Sequence, residues 1–392
     1  MGAKISKRKG LTYYELSNPS LDELIRDNAL EEIMVNGPDE PVFVYHREHG
    51  MCETNLVLSN NEIIEWINKV AMEADDIISE EKPFLDARLP DGSRLNATIP
   101  PATPNGPTIT IRKFRENPLS IVDLILNNTL SSEAAAFLWE LIEGERNYPM
   151  NLLIIGGAGA GKTTTLNVLT SFIPVDERII VIEDTLELNF FDRKNVVRME
   201  SRAGVEHKKP ITMNDLLINA LRMRPDRIIV GEVRGPEAET LFNAMNVGHS
   251  AMGTLHANSP SECVSRLTNP PMNVPKNMLS LVDLIILCKK IRSPEGLKRR
   301  IGAIVEVQKS EVGVSFGELF VYNAKTDLLE RTGVPCQKID ELSALSGVSK
   351  QRINKRIREK QEFLENLISE DKKEFKEVQE ALMNYFDSSF ES

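Results

Sequence analysis

The sequence has few cysteines, and they do not lie in pairs. Four cysteines are spread over 392 residues and form no C-x-x-C motif. Zinc sites and disulfide frameworks need cysteines at short, repeated spacings, so this spacing indicates neither. A reducing, cytoplasmic environment is consistent with it. The four residues are Cys52, Cys263, Cys288 and Cys336.

Long apolar runs are also missing. No window approaches the length of about 18 apolar residues that a membrane-spanning helix requires. The best candidate, Leu281 to Cys288, is short and contains Asp283. The basic residues at positions 4–9 have no apolar run behind them, which argues against a signal peptide. The sequence therefore predicts a cytoplasmic protein, without a transmembrane helix.

Positive charge is in deficit. Lys and Arg number 47 and Asp and Glu number 58, which gives a formal net charge of -11. This balance argues against a protein that coats nucleic acid non-specifically, although it leaves room for a local basic groove. With 41% apolar and 27% charged residues, the chain has the composition of a globular protein with a sizeable core. Its length is sufficient for two or three domains.

A glycine-rich motif of the form G-x-x-x-x-G-K-[ST] lies near the middle of the chain. The apolar run 152–155 precedes it as a predicted strand, and a helical pattern follows it. Glycines let the backbone fold into a nest whose N–H groups point at phosphate oxygens, and the helix N-terminus adds positive charge. The predicted nucleotide-binding residues are Gly156, Gly157, Ala158, Gly159, Ala160, Gly161, Lys162, Thr163 and Thr164.

The chemistry of this motif indicates a nucleotide and Mg²⁺ as ligands. We expect Lys162 to reach the β- and γ-phosphates and Thr163 to bind Mg²⁺. Two carboxylates follow other predicted strands: Glu232 ends the apolar strand 227–232, and Glu183 follows Val181-Ile182. Either can help to hold Mg²⁺ or polarise the attacking water, and the sequence leaves that choice open. The predicted metal ligands are therefore Thr163, Glu232 and Glu183.

A histidine lies at the end of another predicted strand. His256 follows the apolar run 250–255, just before a helix start marked by Ser259, Pro260 and Glu262. An imidazole at this place can hydrogen-bond a γ-phosphate and respond to its loss. We therefore include His256 among the candidate catalytic residues, with Lys162, Glu183 and Glu232.

The pattern along the chain predicts an α/β protein in four segments. Residues 1–112 form a small α+β domain, with helical periodicity over 60–79 and an Asp-Gly turn within 86–97. Residues 113–120 form a hinge, and 121–339 form the ATPase domain, where alternating helices and strands predict a mainly parallel sheet. The strand candidates of that domain are 151–156, 178–183, 195–200, 227–232, 250–256 and 284–288.

The last segment, residues 340–392, is charged and has helical periodicity. The simpler interpretation is that amphipathic helices pack on the ATPase domain or on a neighbour. A sharper alternative is a helix-turn-helix, because Ser343, Gly347, Val348 and Ile353 match its small–Gly–apolar–apolar spacing.

Taken together, these motifs resemble the type II/type IV secretion ATPase superfamily, which includes type IV pilus assembly, pilus retraction and archaellum motor ATPases. The resemblance covers roughly residues 30 to 310. Beyond the glycine-rich loop it is carried by the order and spacing of several motifs, namely Glu32–Gly37, Asp86–Arg94, Ile182-Glu183-Asp184 with Glu187, Leu221–Asp226, Gly231–Arg234 and the histidine segment 248–258.

The resemblance implies a RecA-like P-loop core, a hexameric ring and ATP hydrolysis coupled to protein export or filament assembly. It also implies that arginines of the N-terminal domain reach the nucleotide; the matching residues are Arg88, Arg94 and Arg112, with Arg222 and Arg224 near the subunit contact. The implied partner is a polytopic membrane platform protein, with the chain peripheral at the inner face of the membrane.

One departure from the family pattern is informative. Many type II secretion and bacterial pilus extension ATPases carry a zinc-binding insertion with four cysteines, and this chain has none. It therefore resembles more closely the tight-adherence pilus, archaeal pilus and archaellum, or conjugation-type branches. The alternatives are a nucleic-acid motor or DNA-binding ATPase built on the same core, and a scaffold that only binds nucleotide. We expect no sequence-specific nucleic acid partner, and the intact Lys162, Thr163 and Glu232 argue against the scaffold.

Overall fold

The computed structural model of the chain describes residues 4–8, 11–114, 117–202, 209–293, 296–311 and 313–389. The chain divides into two compact units. The N-terminal unit comprises Met1–Asn117 and Arg292–Leu297, and the C-terminal unit comprises Pro118–Ile291 and Lys298–Ser392. Within the predicted hinge, Arg115 and Glu116 lie outside the described residues.

The described part of the N-terminal unit contains one eight-stranded sheet and two helices. The strands are β1 (Lys4–Arg8), β2 (Leu11–Glu15), β3 (Leu30–Val35), β4 (Pro41–His46), β5 (Gly50–Val57), β6 (Phe84–Arg88), β7 (Arg94–Thr98) and β8 (Thr108–Arg112), and the helices are α1 (Leu21–Arg26) and α2 (Asn60–Glu73). The sheet order is β1-β2-β5-β4-β3-β8-β7-β6. Alternate residues of β7 and β8 are buried, as a sheet with one covered face requires.

Helix α2 is shorter than its sequence pattern predicts. Ser59 and Glu62 form a capping box, in which Ser59 N donates to Glu62 Oε2 over 2.7 Å, and the helix therefore begins at Asn60. The periodicity continues to residue 79, but the helix ends at Glu73. Asp75 adopts a φ of 53°, in the left-handed region, where the α-helix cannot continue.

The C-terminal unit is built on a nine-stranded sheet in its described residues. The strands are β9 (Leu152–Gly156), β10 (Ile179–Glu183), β11 (Val196–Glu200), β12 (Arg227–Val233), β13 (Ser250–Leu255), β14 (Leu284–Ser293), β15 (Gly296–Ser310), β16 (Gly313–Asn323) and β17 (Leu328–Arg331). Their order is β11-β10-β12-β13-β9-β14-β15-β16-β17.

The first six strands in this order pair in parallel, so each of the six strands that the sequence predicts is confirmed. The sheet as a whole is mixed, because β15, β16 and β17 pair antiparallel. Strand β14 extends beyond the predicted end at Cys288 to Ser293, and the sequence pattern predicts none of the three strands after it. Residues 289–300 are rich in Lys and Arg, which conceals the strand pattern there.

Helices cover both faces of the parallel strands. They are α3 (Ile121–Leu126), α4 (Ser132–Glu143), α5 (Lys162–Thr170), α6 (Met213–Ala220), α7 (Glu237–Asn246), α8 (Pro260–Thr268), α9 (Gln337–Ser346), α10 (Lys350–Ser369) and α11 (Phe375–Ser389). Leu152 and Ile154 of β9 pack with α4, α5 and α10, whereas Leu153 and Ile155 pack with α6, α7 and α8. Burial on both faces explains why the strands have continuous apolar sequences.

The helical tail packs on the rest of the C-terminal unit, as the simpler interpretation predicts. Apolar residues of α10 and α11 belong to the same core as Trp139 of α4. The Trp139 ring stacks on Phe172, with 5.0 Å between centroids, and lies 4.9 Å from the Tyr385 ring. Helices α9 and α10 are joined by a short turn in which Gly347 has a φ of 73°.

No described helix is both long enough and apolar enough to cross a bilayer. The longest, α10, has 20 residues and carries many charged side chains.

Candidate active site

The glycine-rich loop joins β9 to α5, as the sequence predicts. Gly159 and Gly161 adopt φ angles of 67° and 96°, a region that side chains with a Cβ rarely enter. At Gly156 the constraint is space, because a Cβ there would lie 2.6 Å from the carbonyl oxygen of Cys288 on β14. Helix α5 starts directly after the loop, at Lys162, so its N-terminal N–H groups and dipole lie at the site where the motif binds phosphate.

Lys162 is held at the mouth of the loop by two contacts. Its Nζ donates to the carbonyl oxygen of Gly157 over 3.2 Å and lies 3.3 Å from Nε2 of His256. The side chain is 8% exposed. The structure therefore brings together the loop lysine and the predicted histidine, which are 94 residues apart in sequence.

His256 also contacts the carboxylate that ends β12. Its Nε2 lies 2.8 Å from Oε1 of Glu232. Burial and the charge of Lys162 lower the pKa of His256, although Glu232 opposes that shift. This shift favours the neutral imidazole. Lys162, His256 and Glu232 thus form a connected chain of polar groups beside the loop.

The two contacts of His256 Nε2 compete with each other. A ring nitrogen donates when it carries a proton and accepts when it does not. Nε2 therefore hydrogen-bonds Glu232 in one tautomer and accepts from Lys162 in the other.

Glu183 is held differently from Glu232. Its side chain is buried, and Oε1 accepts from the backbone N–H groups of Glu187 and Leu188 over 2.9 and 3.1 Å. Oε2 is buried without a hydrogen-bond partner among the described residues, and lies 3.8 Å from a guanidinium nitrogen of Arg198. Burial raises the pKa of Glu183, against the opposing effect of its backbone donors.

A glycine makes room for Glu183 next to Glu232. A Cβ on Gly231 would lie 3.0 Å from Cγ of Glu183, so this position tolerates only the smallest residue without a shift. Strands β10 and β12 are parallel neighbours, which places Glu183 beside the residue that precedes Glu232. The two candidate carboxylates therefore lie at the same edge of the sheet in different environments.

An arginine links the acidic residues at this edge. Arg234 forms an ion pair with Asp184, and its Nε lies 3.9 Å from Oε2 of Glu232. Asp184 also accepts from the Ser201 hydroxyl over 2.7 Å. The charge of Arg234 offsets part of the repulsion between these carboxylates.

The residues present fit a hard divalent cation. The buried and unsatisfied Oε2 of Glu183, the Glu232 carboxylate and the Thr163 hydroxyl are oxygen donors of the type that Mg²⁺ prefers. Among the residues that the structure describes, no three His, Cys, Asp or Glu side chains cluster to hold a metal by themselves. Mg²⁺ binding here thus needs further oxygen ligands, which nucleotide phosphates supply.

The three predicted arginines of the N-terminal unit form one cross-strand row. Arg88 of β6 lies opposite Arg94 of β7, and Arg94 lies opposite Arg112 of β8. Directly opposed residues point to the same face of a sheet, and like charges in such pairs repel. A row of this kind favours an anion over that face.

The N-terminal cap of helix α8 differs from the one that the sequence predicts. Ser259 Oγ accepts from Glu262 N over 3.1 Å and caps α8. The Glu262 carboxylate accepts from Asn258 N over 2.8 Å, and not from Ser259 N, so the capping box that the spacing of Ser259 and Glu262 predicts is only half formed. The N–H of Asn258, the residue just before the cap, takes the place of the Ser259 N–H as the donor to this carboxylate.

Two basic residues beside the loop were not selected from the sequence. Arg299 of β15 donates from Nε to the carbonyl oxygen of Gly159 over 3.0 Å. Nζ of Lys290 of β14 lies 3.4 Å from the position that a Cβ on Gly159 would take. The sequence feature that could have indicated them is the pair of basic runs 289–290 and 298–300, which flank the β14–β15 connection.

With this geometry established, comparison with known proteins assigns the chain to a family. The model of the type II/IV secretion system protein family matches residues 15–378. The chain belongs to this family. The uncharacterized protein MJ0781 of Methanocaldococcus jannaschii is 32% identical, covering 93% of this chain and 75% of that protein. The type IV secretion system protein VirB11 of Bartonella henselae is 30% identical, covering 69% of this chain and 87% of that protein.

A solved structure has the same fold. The X-ray structure of the Legionella pneumophila ATPase DotB is 17% identical to this member of the type II/IV secretion family and gives a TM-score of 0.52. The alignment covers 95% of this chain and 99% of DotB. The α/β fold that the sequence predicts is thereby confirmed, with mixed sheets in both units.

Proposed function

We propose that this chain is a Mg²⁺-dependent ATPase with a RecA-like core, which forms a hexameric ring and powers protein secretion or the assembly of a type IV pilus-like filament. The observation that carries the proposal is the chain of contacts from Lys162 through His256 to Glu232, beside a complete phosphate-binding loop. A loop that only turns the chain has no need of this arrangement. DotB is an ATPase and VirB11 is a type IV secretion system protein, which supports the two parts of this proposal.

Binding of the substrate follows from the loop. The backbone N–H groups of residues 157–163 surround the phosphates, and Lys162 leaves the Gly157 carbonyl to contact the β- and γ-phosphates. Thr163, Glu183 and Glu232 would hold Mg²⁺, which would neutralise part of the phosphate charge when bound.

The reaction is attack of water on the γ-phosphorus of ATP. The oxygen of water forms a bond to phosphorus, and the bond to the β–γ bridging oxygen breaks with its electron pair leaving on ADP. A carboxylate, Glu232 or Glu183, takes the proton of the water. Lys162 stabilises the charge that develops on the γ- and β-oxygens.

His256 couples this chemistry to the state of the site. When Lys162 turns to the phosphates, the imidazole loses one of its two competing contacts, so Nε2 donates to Glu232 alone. Loss of the γ-phosphate lets Lys162 return. The predicted arginines Arg88, Arg94 and Arg112 would add charge compensation from an N-terminal unit, in the same chain or in a neighbour of the ring.

The proposed setting is peripheral to the inner face of a membrane, on a polytopic platform protein. The names of the conjugal transfer protein TrbB and the type IV secretion system protein VirB11 refer to transfer and secretion systems, and this supports a role in such a system. Strong stimulation of ATPase activity by single- or double-stranded DNA, with no response to cytoplasmic loops of a platform protein, would instead favour the nucleic-acid motor.

The test is ATP hydrolysis by the purified full chain with Mg²⁺. Lys162→Ala should abolish turnover, a loss on the order of 10²-fold or more, because it removes charge stabilisation at the transferred phosphoryl group. Lys376→Ala is the matched control, since Lys376 is an exposed lysine on α11 with a 3.9 Å contact to Glu380. Near-normal turnover by Lys162→Ala would refute the proposal.

A further inference from the structure

Helix α5 contains a buried asparagine four residues after Thr163. Asn167 is 8% exposed, and its chain neighbours Leu166 and Val168 belong to the apolar core. An asparagine is unfavourable inside a helix, and a buried amide costs free energy unless it is hydrogen-bonded. Oδ1 of Asn167 accepts from the backbone N–H of Asn189, 22 residues away in the chain, over 2.7 Å. The amide therefore joins the helix after the glycine-rich loop to the segment after β10.

The segment that Asn167 holds is the 184–191 loop, which directly follows β10. The consecutive backbone N–H groups of residues 187–189 all donate to side-chain oxygens. The first two donate to Oε1 of Glu183 over 2.9 and 3.1 Å, and the third donates to Asn167. The loop is thus fixed at the end of β10 by one side chain and on α5 by the other. Because the three donors are consecutive, displacement of the third moves the first two with it.

The two donors on Oε1 set the orientation of the Glu183 carboxylate. Its side chain is 2% exposed, and Oε2 has no hydrogen-bond partner among the described residues. The loop therefore decides where Oε2 points. Asn167 and Thr163 are four positions apart, so they lie on the same face of helix α5. Asn167 thus holds the loop on the helix face that carries Thr163, which the sequence predicts to bind Mg²⁺.

We propose that Asn167 is a positioning residue of the ATPase reaction: its amide oxygen holds the 184–191 loop, and the loop orients the carboxylate of Glu183. This inference rests on the proposed function. Asn167 acts through Glu183, so its loss should slow hydrolysis and leave the phosphate-binding loop intact. An amide that only stabilises the fold would instead change the unfolding temperature and not the rate per folded chain.

The kinetics of ATP hydrolysis by the full chain separate these two roles. Asn167→Leu keeps the branched shape of the side chain and removes the acceptor. It should lower kcat about tenfold, because misplaced catalytic groups slow the reaction, while KM for ATP stays within about twofold. The double variant Asn167→Leu, Glu183→Gln should be no slower than Glu183→Gln alone, since residues that act through one another have non-additive effects.

Asn151→Leu is the matched control. Oδ1 of Asn151 also accepts from a backbone N–H, that of Ala251, over 2.8 Å, but Asn151 precedes β9, at the end of the strand opposite the glycine-rich loop. This variant should lose stability and keep its kcat per folded chain. Amide hydrogen exchange without nucleotide gives a second readout. Asn167→Leu should speed exchange at Glu187 and Leu188 about tenfold or more, and Asn151→Leu should not.

An unchanged kcat in Asn167→Leu, additive losses in the double variant, or faster exchange confined to Asn189 would overturn the inference. A loss of kcat in Asn151→Leu as large as that in Asn167→Leu would do so as well. If thermal unfolding shows that Asn167→Leu does not fold, Asn167→Ala, a smaller change to a good helix former, decides by the same measurements. If wild type and Asn167→Leu hydrolyse ATP equally fast, only this inference fails. If wild type hydrolyses no ATP, the proposed function fails and this inference fails with it.

Discussion

The imidazole of His256 and the carboxylate of Glu232 lie within hydrogen-bonding distance, 2.8 Å from Nε2 to Oε1. The same nitrogen is 3.3 Å from the amine of Lys162. A single ring atom therefore connects the residue that binds phosphate to a residue that can activate water.

Replacing the carboxylate of Glu232 or of Glu183 by a neutral amide should affect ATP hydrolysis to different extents. Glu232→Gln preserves shape and should lower the rate of ATP hydrolysis on the order of 10²-fold or more if Glu232 acts as the base, while ATP binding persists. Glu183→Gln keeps an acceptor for the N–H groups of Glu187 and Leu188, so it should fold and lose less activity. Single-turnover rates and nucleotide affinities measure both. If Glu183→Gln alone stops turnover, the roles are reversed, as its raised pKa would allow.

His256 makes stability depend on pH. Burial and Lys162 lower its pKa in the folded chain, so the unfolded chain binds a proton more readily. Stability should therefore fall as pH drops through the unfolded value of about 6.5. The Tm measured between about pH 7.5 and pH 5.5 should decrease less for His256→Gln than for wild type. Part of the dependence should remain, because the pKa of His46 is lowered by burial too. An unchanged pH dependence in His256→Gln would contradict the assigned role of burial and Lys162.

The arginine row predicts complementation within a ring. We expect Arg94→Ala and Lys162→Ala chains to be inactive alone and to regain part of their ATPase activity when mixed, if Arg94 acts on a neighbour's nucleotide. Activity per chain should also rise with protein concentration as rings form. The mixture is compared with each variant at equal total concentration, and co-assembly is checked by light scattering. Co-assembled rings without recovery would exclude action in trans by Arg94; Arg88→Ala and Arg112→Ala test the other two positions in the same way.

A buried lysine in the helical tail should contribute strongly to the stability of the folded chain. Lys360 of α10 is 2% exposed; it forms an ion pair with Glu140 and another with Glu143 over 2.7 Å, and it lies 5.3 Å from the centre of the Trp139 ring. Lys360→Met removes this partner from Glu140, also 2% exposed, and leaves it with Arg356, whose guanidinium nitrogen lies 3.4 Å from Oε1. We expect a destabilisation of about 3 kcal/mol in denaturant unfolding, the lower end of the range for breaking one partner of a buried pair, because Arg356 still compensates part of the charge.

The matched change on the surface is Lys376→Met, which should alter stability by less than about 0.5 kcal/mol. The double variant Lys360→Met, Glu140→Gln should recover part of the loss, because it removes the buried charge that has lost Lys360. A loss for Lys360→Met no larger than that for Lys376→Met would show that the buried pairs contribute nothing.

Local patterns were sufficient for much of the site. Glycines at 159 and 161, followed by Lys162 and a helical pattern, predict a phosphate loop because each requirement concerns neighbouring residues. The parallel strands were equally readable, since apolar runs such as 152–155 are buried on both faces. Helix ends were harder to predict from the sequence than the strands. Asp75 ends α2 early, and Asn258 competes with Ser259 for the Glu262 carboxylate.

Only the tertiary structure decided what surrounds these residues. From the sequence, Glu183 and Glu232 are two acids at strand ends; burial beside Gly231 raises the pKa of one, and contact with His256 engages the other. The basic runs at 289–290 and 298–300 give no sign that Lys290 and Arg299 alone face the loop. Side-chain direction depends on the register of a strand and on what packs against each face, and both are set by residues far away in the chain. The sequence by itself thus determined the type of fold and the loop that binds phosphate, while packing determined which charged side chains meet there.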